Sequence, residues 1–290
     1  METFPTPEGP ESASPTGCLF CGDTDARRTR EHVFPEWLLR DFDLAEEGVA
    51  PLHMSSDFKL LSRRLHRLAD LVEGRVCATC NNGWMSDLEV EVQPILGPLI
   101  AGTAELDQLT RPERLTLARW TAKTAYMLNW SANYSRKVPT AHLRALMRAS
   151  DLPEQVVVMA CPYDGDSRFA WLQGPTWMLD LVSVGREGAA QISARSYKIS
   201  INLGRVMLMT AHWPDPDWAY RLLSDVHRNV WPPRALWMIS YPGGMPEYDD
   251  PLFPLHWFHA MLGVFDPGSW QETTSWRGSP LLWPGPDQAP

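Results

Sequence analysis

No apolar run in these 290 residues comes near the about 20 residues needed to cross a bilayer, which excludes a membrane-spanning helix. The opening Met1-Glu2-Thr3-Phe4-Pro5 has neither a basic segment nor an apolar one behind it. A secretory leader is therefore not expected, and the expected compartment is the cytoplasm. Internal repeats and heptads are missing too, so solenoids and coiled coils are set aside. Positive charge is scarce: 26 Lys and Arg stand against 35 Asp and Glu, for a net charge of −9. The deficit is concentrated in residues 1–100, with 9 basic against 17 acidic side chains, whereas residues 101–290 carry 17 against 18. That balance argues against strong, sequence-independent binding to nucleic acid, which needs many phosphate contacts, but it leaves room for a local basic strip.

Cysteine is sparse as well, and its placement is informative. Of five cysteines, four fall in two Cys-x-x-Cys pairs, Cys18/Cys21 and Cys77/Cys80. In a reducing compartment such pairs point to metal rather than to disulfides. Each pair forms a tight knuckle that can place two thiolates on one ion, and two knuckles complete a tetrahedral structural zinc site. Four protein ligands leave no open position, so this zinc is expected to staple the fold and not to catalyse. Cys161, inside Val156-Val157-Val158-Met159-Ala160, reads as a small buried hydrophobe.

With 44% hydrophobic residues the chain can bury an ordinary core. Residues 1–16 and 278–290, rich in Pro and small or polar residues, read as disordered tails. Residues 17–100 form a first unit. Within it, Phe34-Pro35-Glu36-Trp37-Leu38-Leu39 reads as a turn and a short helix, and Leu61, Leu65, Leu68 and Val72 keep a helical period. Lys59, Arg63, Arg64 and Arg67 in that stretch form either a solvated polar face or a set of phosphate contacts. After the second knuckle a helix is expected, with Trp84, Met85, Leu88 and Val92 on its core face and Pro94 and Gly97-Pro98 ending or kinking it. Residues 101–277 are expected to form an α+β unit whose role the sequence does not disclose. It opens with helices over about 110–150, and short strands follow at 156–159, 169–172, 178–184, 199–203, 206–210 and 236–240. Two further helices are expected near 217–228 and 255–262.

A second signal is Thr29-Arg30-Glu31-His32-Val33-Phe34-Pro35-Glu36-Trp37-Leu38, just after the first knuckle. Taken together, Cys18-x-x-Cys21, Glu31-His32-Val33-x-Pro35 and Cys77-x-x-Cys80-Asn81 resemble the HNH-type endonucleases of the His-Me finger (ββα-metal) superfamily. More closely, they are similar to a bacterial zinc-containing subgroup with Arg-Glu-His-Val-Phe-Pro-x-Trp-Leu and Cys-x-x-Cys-Asn-Asn-Gly-Trp-Met segments. The resemblance covers about residues 17–92. It implies a zinc-stapled, treble-clef-like ββα unit. It also implies a hydrolase that cuts phosphodiester bonds of DNA, or of RNA. In that reading His32 is the general base, and Glu31 and Asn81 hold a catalytic Mg²⁺ or Mn²⁺. The chemistry is coherent: an imidazole with pKa near ~6.5 is a suitable base at neutral pH, and carboxylate and amide oxygens suit a hard cation.

The sequence departs from the family pattern in two places. Val72 stands where a middle Asn is expected to orient the histidine, and Glu31 replaces the more usual Asp. Asn82 is an alternative ligand to Asn81. Arg27, Arg28, Arg30 and Arg75 lie near the knuckles and are candidate phosphate contacts, whereas His53 and His66, in the segment between the knuckles, read as bland surface or core residues. The competing reading is a non-catalytic, zinc-stabilised binding module that has lost its activity. A weaker third is a thiol redox protein.

Overall fold

A computed structural model describes residues 16–49, 52–54, 60–63, 66–131, 136, 138–148, 151–153, 156–162, 168–174, 197–212 and 228–231. Most of both expected tails, the strands expected at 178–184 and 236–240 and the helix expected at 255–262 lie outside these residues. So does the helix expected at 217–228, apart from its last residue. The described residues are a mixed α and β structure with small antiparallel sheets.

The N-terminal part is built on two strands, β1 (Arg28–His32) and β6 (Val72–Cys77), paired antiparallel. Arg28 lies opposite Cys77, Thr29 opposite Val76, Glu31 opposite Glu73 and His32 opposite Val72. Between the second and third of these pairs β6 has two residues, Gly74 and Arg75, against the single Arg30, the signature of a β-bulge. The long connection holds α1 (Glu36–Asp41), which Pro35 opens from an extended conformation, as the sequence predicts. It also holds β2 (Gly48–Val49) paired with β5 (His66–Arg67), and β3 (Leu52–Met54) paired with β4 (Leu60–Arg63). The helical period from Leu61 to Val72 is therefore misleading. Among the described residues of that stretch, Leu61–Arg63 and His66–Arg67 are strand, Leu68–Asp70 is a short 3₁₀ turn, and Val72 starts strand again. Pairing decides this conformation: β4 lies against β3, β5 against β2, and Val72 opposite His32 of β1.

Beyond Cys77 the chain turns helical through α2 (Ala78–Cys80), a π-type turn at Asn81–Met85 and α3 (Ser86–Ala101), with the axis kinked at Gly83. Met85, Leu88 and Val92 face the core as expected. The prolines do not end this helix. Pro94 sits on its exposed side, where a missing N–H costs least, and the helix runs on to Gly102 in the left-handed region (φ 70°).

α4 (Arg111–Ser131) is the central element. Thr110 and Glu113 cap its start reciprocally, the Thr110 N–H donating to Glu113 at 2.8 Å and the Glu113 N–H to the Thr110 hydroxyl at 3.5 Å. From Trp120 to Trp130 every side chain is buried, as for a helix enclosed on all sides. One side meets β6 and α3. Another meets a five-stranded sheet ordered β11-β7-β10-β9-β8, in which β7 spans Val156–Pro162, β8 Phe169–Gly174, β9 Tyr197–Leu203, β10 Val206–His212 and β11 Arg228–Trp231. All of its pairs are antiparallel, and β10, at its centre, is buried along its whole length. The β9–β10 connection docks on the end of α3. Gly204 takes φ +53°, and a Cβ there would lie 2.7 Å from the Ile100 carbonyl oxygen, so both the conformation and the close approach require glycine. One hydrophobic cluster runs without a break from Cys18 to Val230, across the boundary expected near residue 100.

α5 (Thr140–Arg148) closes the same face of the sheet and brings His142 onto it. The His142 Nδ1 lies 2.8 Å from the Tyr197 hydroxyl, which is 3.0 Å from that of Tyr126, and the His142 ring packs edge-on against His212. Burial, and then the neighbouring His212, push His142 down to about 4. A histidine depressed in this way binds its proton more readily in the unfolded chain, so its neutral form contributes stability above pH ~6.5 that is lost as pH falls towards 4. The melting temperature is expected to drop between pH 7 and pH 5, and His142→Gln, which lacks the titrating group, should flatten that drop. An unaltered pH dependence in the variant would refute the assignment.

Candidate functional site

Two turns of chain create the metal-ligand geometry. In the first, Gly22 donates its N–H to the Cys18 carbonyl at 2.8 Å and Cys18 donates to the Asp23 carbonyl at 2.8 Å. Gly22 sits at φ +80°, which lets the knuckle close with little steric cost. Arg28 fastens this loop by donating to the carbonyls of Thr16 and Asp23, both at 3.1 Å. In the second, Cys77 ends β6 and caps α2, its sulfur accepting from the Cys80 N–H at 3.4 Å. The two knuckles meet because Leu19 donates to the Arg75 carbonyl at 3.0 Å, and because the Cys77 N–H donates to the Cys18 sulfur at 3.3 Å. Phe20 and Trp84 pack edge to face across the join.

The four sulfurs all lie within 4.8 Å of one another, and those of Cys21 and Cys77 are 3.7 Å apart. A tetrahedral ion with metal–sulfur bonds of about 2.3 Å requires edges of about 3.8 Å, whereas a disulfide requires about 2.05 Å. The residues present therefore fit a zinc ion that the four cysteines could hold. Cys18, Cys77 and Cys80 are buried and Cys21 is half-buried. The Cys80 thiol, donating to Cys18, is the main cause that holds Cys18 down at about 4, whereas burial pushes Cys21 up. A soft metal binds such a cluster by displacing the thiol protons, so its affinity depends on pH. The Met147 sulfur, 3.8 Å from that of Cys80, brings α5 against the cluster.

Glu31 and Asn81 are brought together. The Asn81 amide donates to the Thr29 hydroxyl at 3.1 Å, two residues before Glu31 on β1, and lies near enough to the Glu31 carboxylate to oppose slightly the rise in its pKa. Asn82, the alternative, is exposed. His32 follows Glu31 on β1, but the strand's alternation turns it to solvent while Glu31 is buried. Val72 lies directly across from His32, so the strand opposite offers it no polar side chain.

Two residues that the sequence reading did not single out complete this cluster. The Lys123 ammonium, fully buried on α4, lies 2.6 Å from the Glu89 carboxylate on α3 and 3.5 Å from that of Glu31. Burial raises the Glu31 pKa above the ordinary carboxylate range and Glu89 adds to the rise, with Lys123 and Asn81 opposing it. A signal for both residues exists in the sequence. Lys123 is the one charge between Arg119 and Ser131, and Glu89 follows Asn81 by about two helical turns.

Of the candidate phosphate contacts, Arg30 is exposed, while Arg28 and Arg75 are engaged internally. Arg75 forks onto the buried Glu73 carboxylate with two bonds of 2.6 Å and donates to the Trp130 carbonyl at 2.5 Å. It also lies over the Trp130 ring, on which Arg136 stacks as well. His53 and His66 lie on β3 and β5, and Cys161 on β7. Comparison with protein-family models, with curated proteins and with solved structures finds no match to this chain.

Two outcomes follow from this geometry. Cys77→Ser should lose bound metal and most of its cooperative unfolding transition, because the strand pair and the helix start share that residue; metal content and a thermal melt measure both. Arg75→Met strands the Glu73 carboxylate and should cost about 3 kcal/mol or more in denaturant unfolding. A loss below about 1 kcal/mol would mean that the pair contributes little.

Proposed function

We propose that this chain is a metal-dependent phosphodiesterase of the HNH type, in which a structural zinc on Cys18, Cys21, Cys77 and Cys80 holds a treble-clef-like ββα unit. The observation that carries the reading is the meeting of Glu31 and Asn81 where β1 faces the start of the helix, two positions 50 residues apart in sequence and joined by the cysteine cluster. Their oxygens suit a hard divalent cation such as Mg²⁺ or Mn²⁺. Such an ion, when bound, supplies charge neutralisation at the scissile phosphate. His32, at the exposed end of β1, takes the proton from the attacking water. Arg30, on the same exposed stretch, is a contact for the nucleic-acid backbone. The acidic N-terminal part favours local engagement over extensive phosphate contact.

A second reading has its own support. The Lys123 ammonium already lies against both Glu31 and Glu89, and Val72 faces His32, as expected of a non-catalytic zinc-stabilised binding module. Plasmid DNA incubated with the protein and Mg²⁺ or Mn²⁺ separates the two. The nuclease reading expects nicking that chelation abolishes and that His32→Ala slows by about 100-fold or more. Intact plasmid, or equal cleavage by His32→Ala, favours the binding module.

A further inference from the structure

The cation position between Glu31 and Glu89 is held by the protein's own Lys123, and this has a consequence for metal entry. We infer that Glu89 is the second carboxylate of the metal site and that Lys123 is a built-in competitor for it, so that a divalent ion binds only against the lysine's ammonium. The inference rests on the proposed reading of Glu31 as a metal ligand.

Three observations point the same way. The Lys123 side chain has no exposed surface, so its charge is compensated from within the protein, and the carboxylates of Glu31 and Glu89 are the partners that lie against its ammonium. The two carboxylates come from different elements, β1 and α3, and converge on one Nζ. Glu31 and Glu89 also differ from Lys123 in access: their side chains are 10% and 20% exposed against 0% for Lys123, so the carboxylates keep a contact with solvent that the lysine lacks. Two carboxylate oxygens and an amide are the hard donor set that Mg²⁺ and Mn²⁺ accept. An ammonium against these carboxylates opposes a second cation there by repulsion, an effect strengthened by burial. Lys123 is thus a positioning residue. It keeps the two carboxylates together when no divalent ion is bound and sets how much metal is needed to take them over.

The test is Mn²⁺ binding, followed by electron paramagnetic resonance on the full chain, with zinc content as the check on folding. Lys123→Gln, which keeps a hydrogen-bond donor on a side chain one atom shorter but loses the charge, should bind Mn²⁺ at least tenfold more tightly than wild type, and its melting temperature should rise more on adding Mn²⁺. Glu89→Gln should weaken binding at least tenfold. If Lys123→Gln loses its zinc, the Glu89→Gln result decides. Equal Mn²⁺ affinity in wild type and Lys123→Gln, or in wild type and Glu89→Gln where that comparison decides, overturns the inference while leaving the nuclease reading standing. Absence of Mn²⁺ binding in every folded variant removes the reading beneath it as well.

Discussion

Four sulfurs converging on one point constrain this structure more than any other contact. Cys18 and Cys21 precede β1, and Cys77 and Cys80 join β6 to the helix, so closing the cluster determines three things at once. It sets the register of β1 against β6, because Arg28 must come to lie beside Cys77. It starts the helix where Asn81 faces Glu31. It also closes a connection of more than fifty residues, whose loop-closure entropy grows only slowly with length. The short strand pairs inside that connection can then vary without disturbing the geometry at its ends. A pair of five- and six-residue strands does not sustain itself in water, and here it is held by the cluster at one end and by α4 behind it.

Charge joins the knuckle-bearing part to the rest alongside the continuous apolar cluster. Glu31 and Glu73 lie opposite each other on one face of the strand pair, and both are buried. Two carboxylates so placed would repel each other and lose hydration together. Each has its own cation: Arg75 forks onto Glu73 and reaches the Trp130 carbonyl, and Lys123 approaches Glu31 from α4. The β6 bulge accompanies this arrangement: within it the backbone N–H and the guanidinium of Arg75 both reach the Glu73 carboxylate. Both compensations end on α4, so the face of β1 and β6 that carries these carboxylates is completed by residues 123 and 130.

The legibility of the sequence follows the same division. The cysteine quartet could be read because metal ligation demands particular residue types at short spacing, and Cys-x-x-Cys is that demand written locally. The core face of α3 at Met85, Leu88 and Val92, and the strands around Val156, Ile199 and Val206, could be read because burial imposes a period that the neighbours share. Leu61 to Val72 was misread for the opposite reason: its leucines satisfy a helical period, while pairing partners distant in sequence impose extended backbone. Pro94 was read as a possible stop because local steric rules do not include the exposed side of a helix that other contacts hold in place. Lys123 and Glu89 were passed over because one lysine in an apolar helix and one glutamate on a polar face each look ordinary until the fold brings them together.

That last pair alters how the Glu31–Asn81 meeting is to be understood. A carboxylate and an amide beside the cysteine cluster would, alone, be an open hard-oxygen site awaiting a cation. With Lys123 inserted from α4, an ammonium already lies against Glu31 and Glu89, one positive charge shared by two carboxylates. The residues that make the site chemically plausible are therefore also those that keep it satisfied when idle. A buried carboxylate needs a cation or a proton, whereas the proposed metal site needs a cation that can also be given up to a divalent ion. A lysine on a neighbouring helix meets the first requirement without excluding the second, provided that its hold on Glu31 is the weaker of its two contacts. The distances have that order, 3.5 Å to Glu31 against 2.6 Å to Glu89. The asymmetry leaves Glu31, the residue beside His32 and Asn81, as the carboxylate the lysine can most readily release.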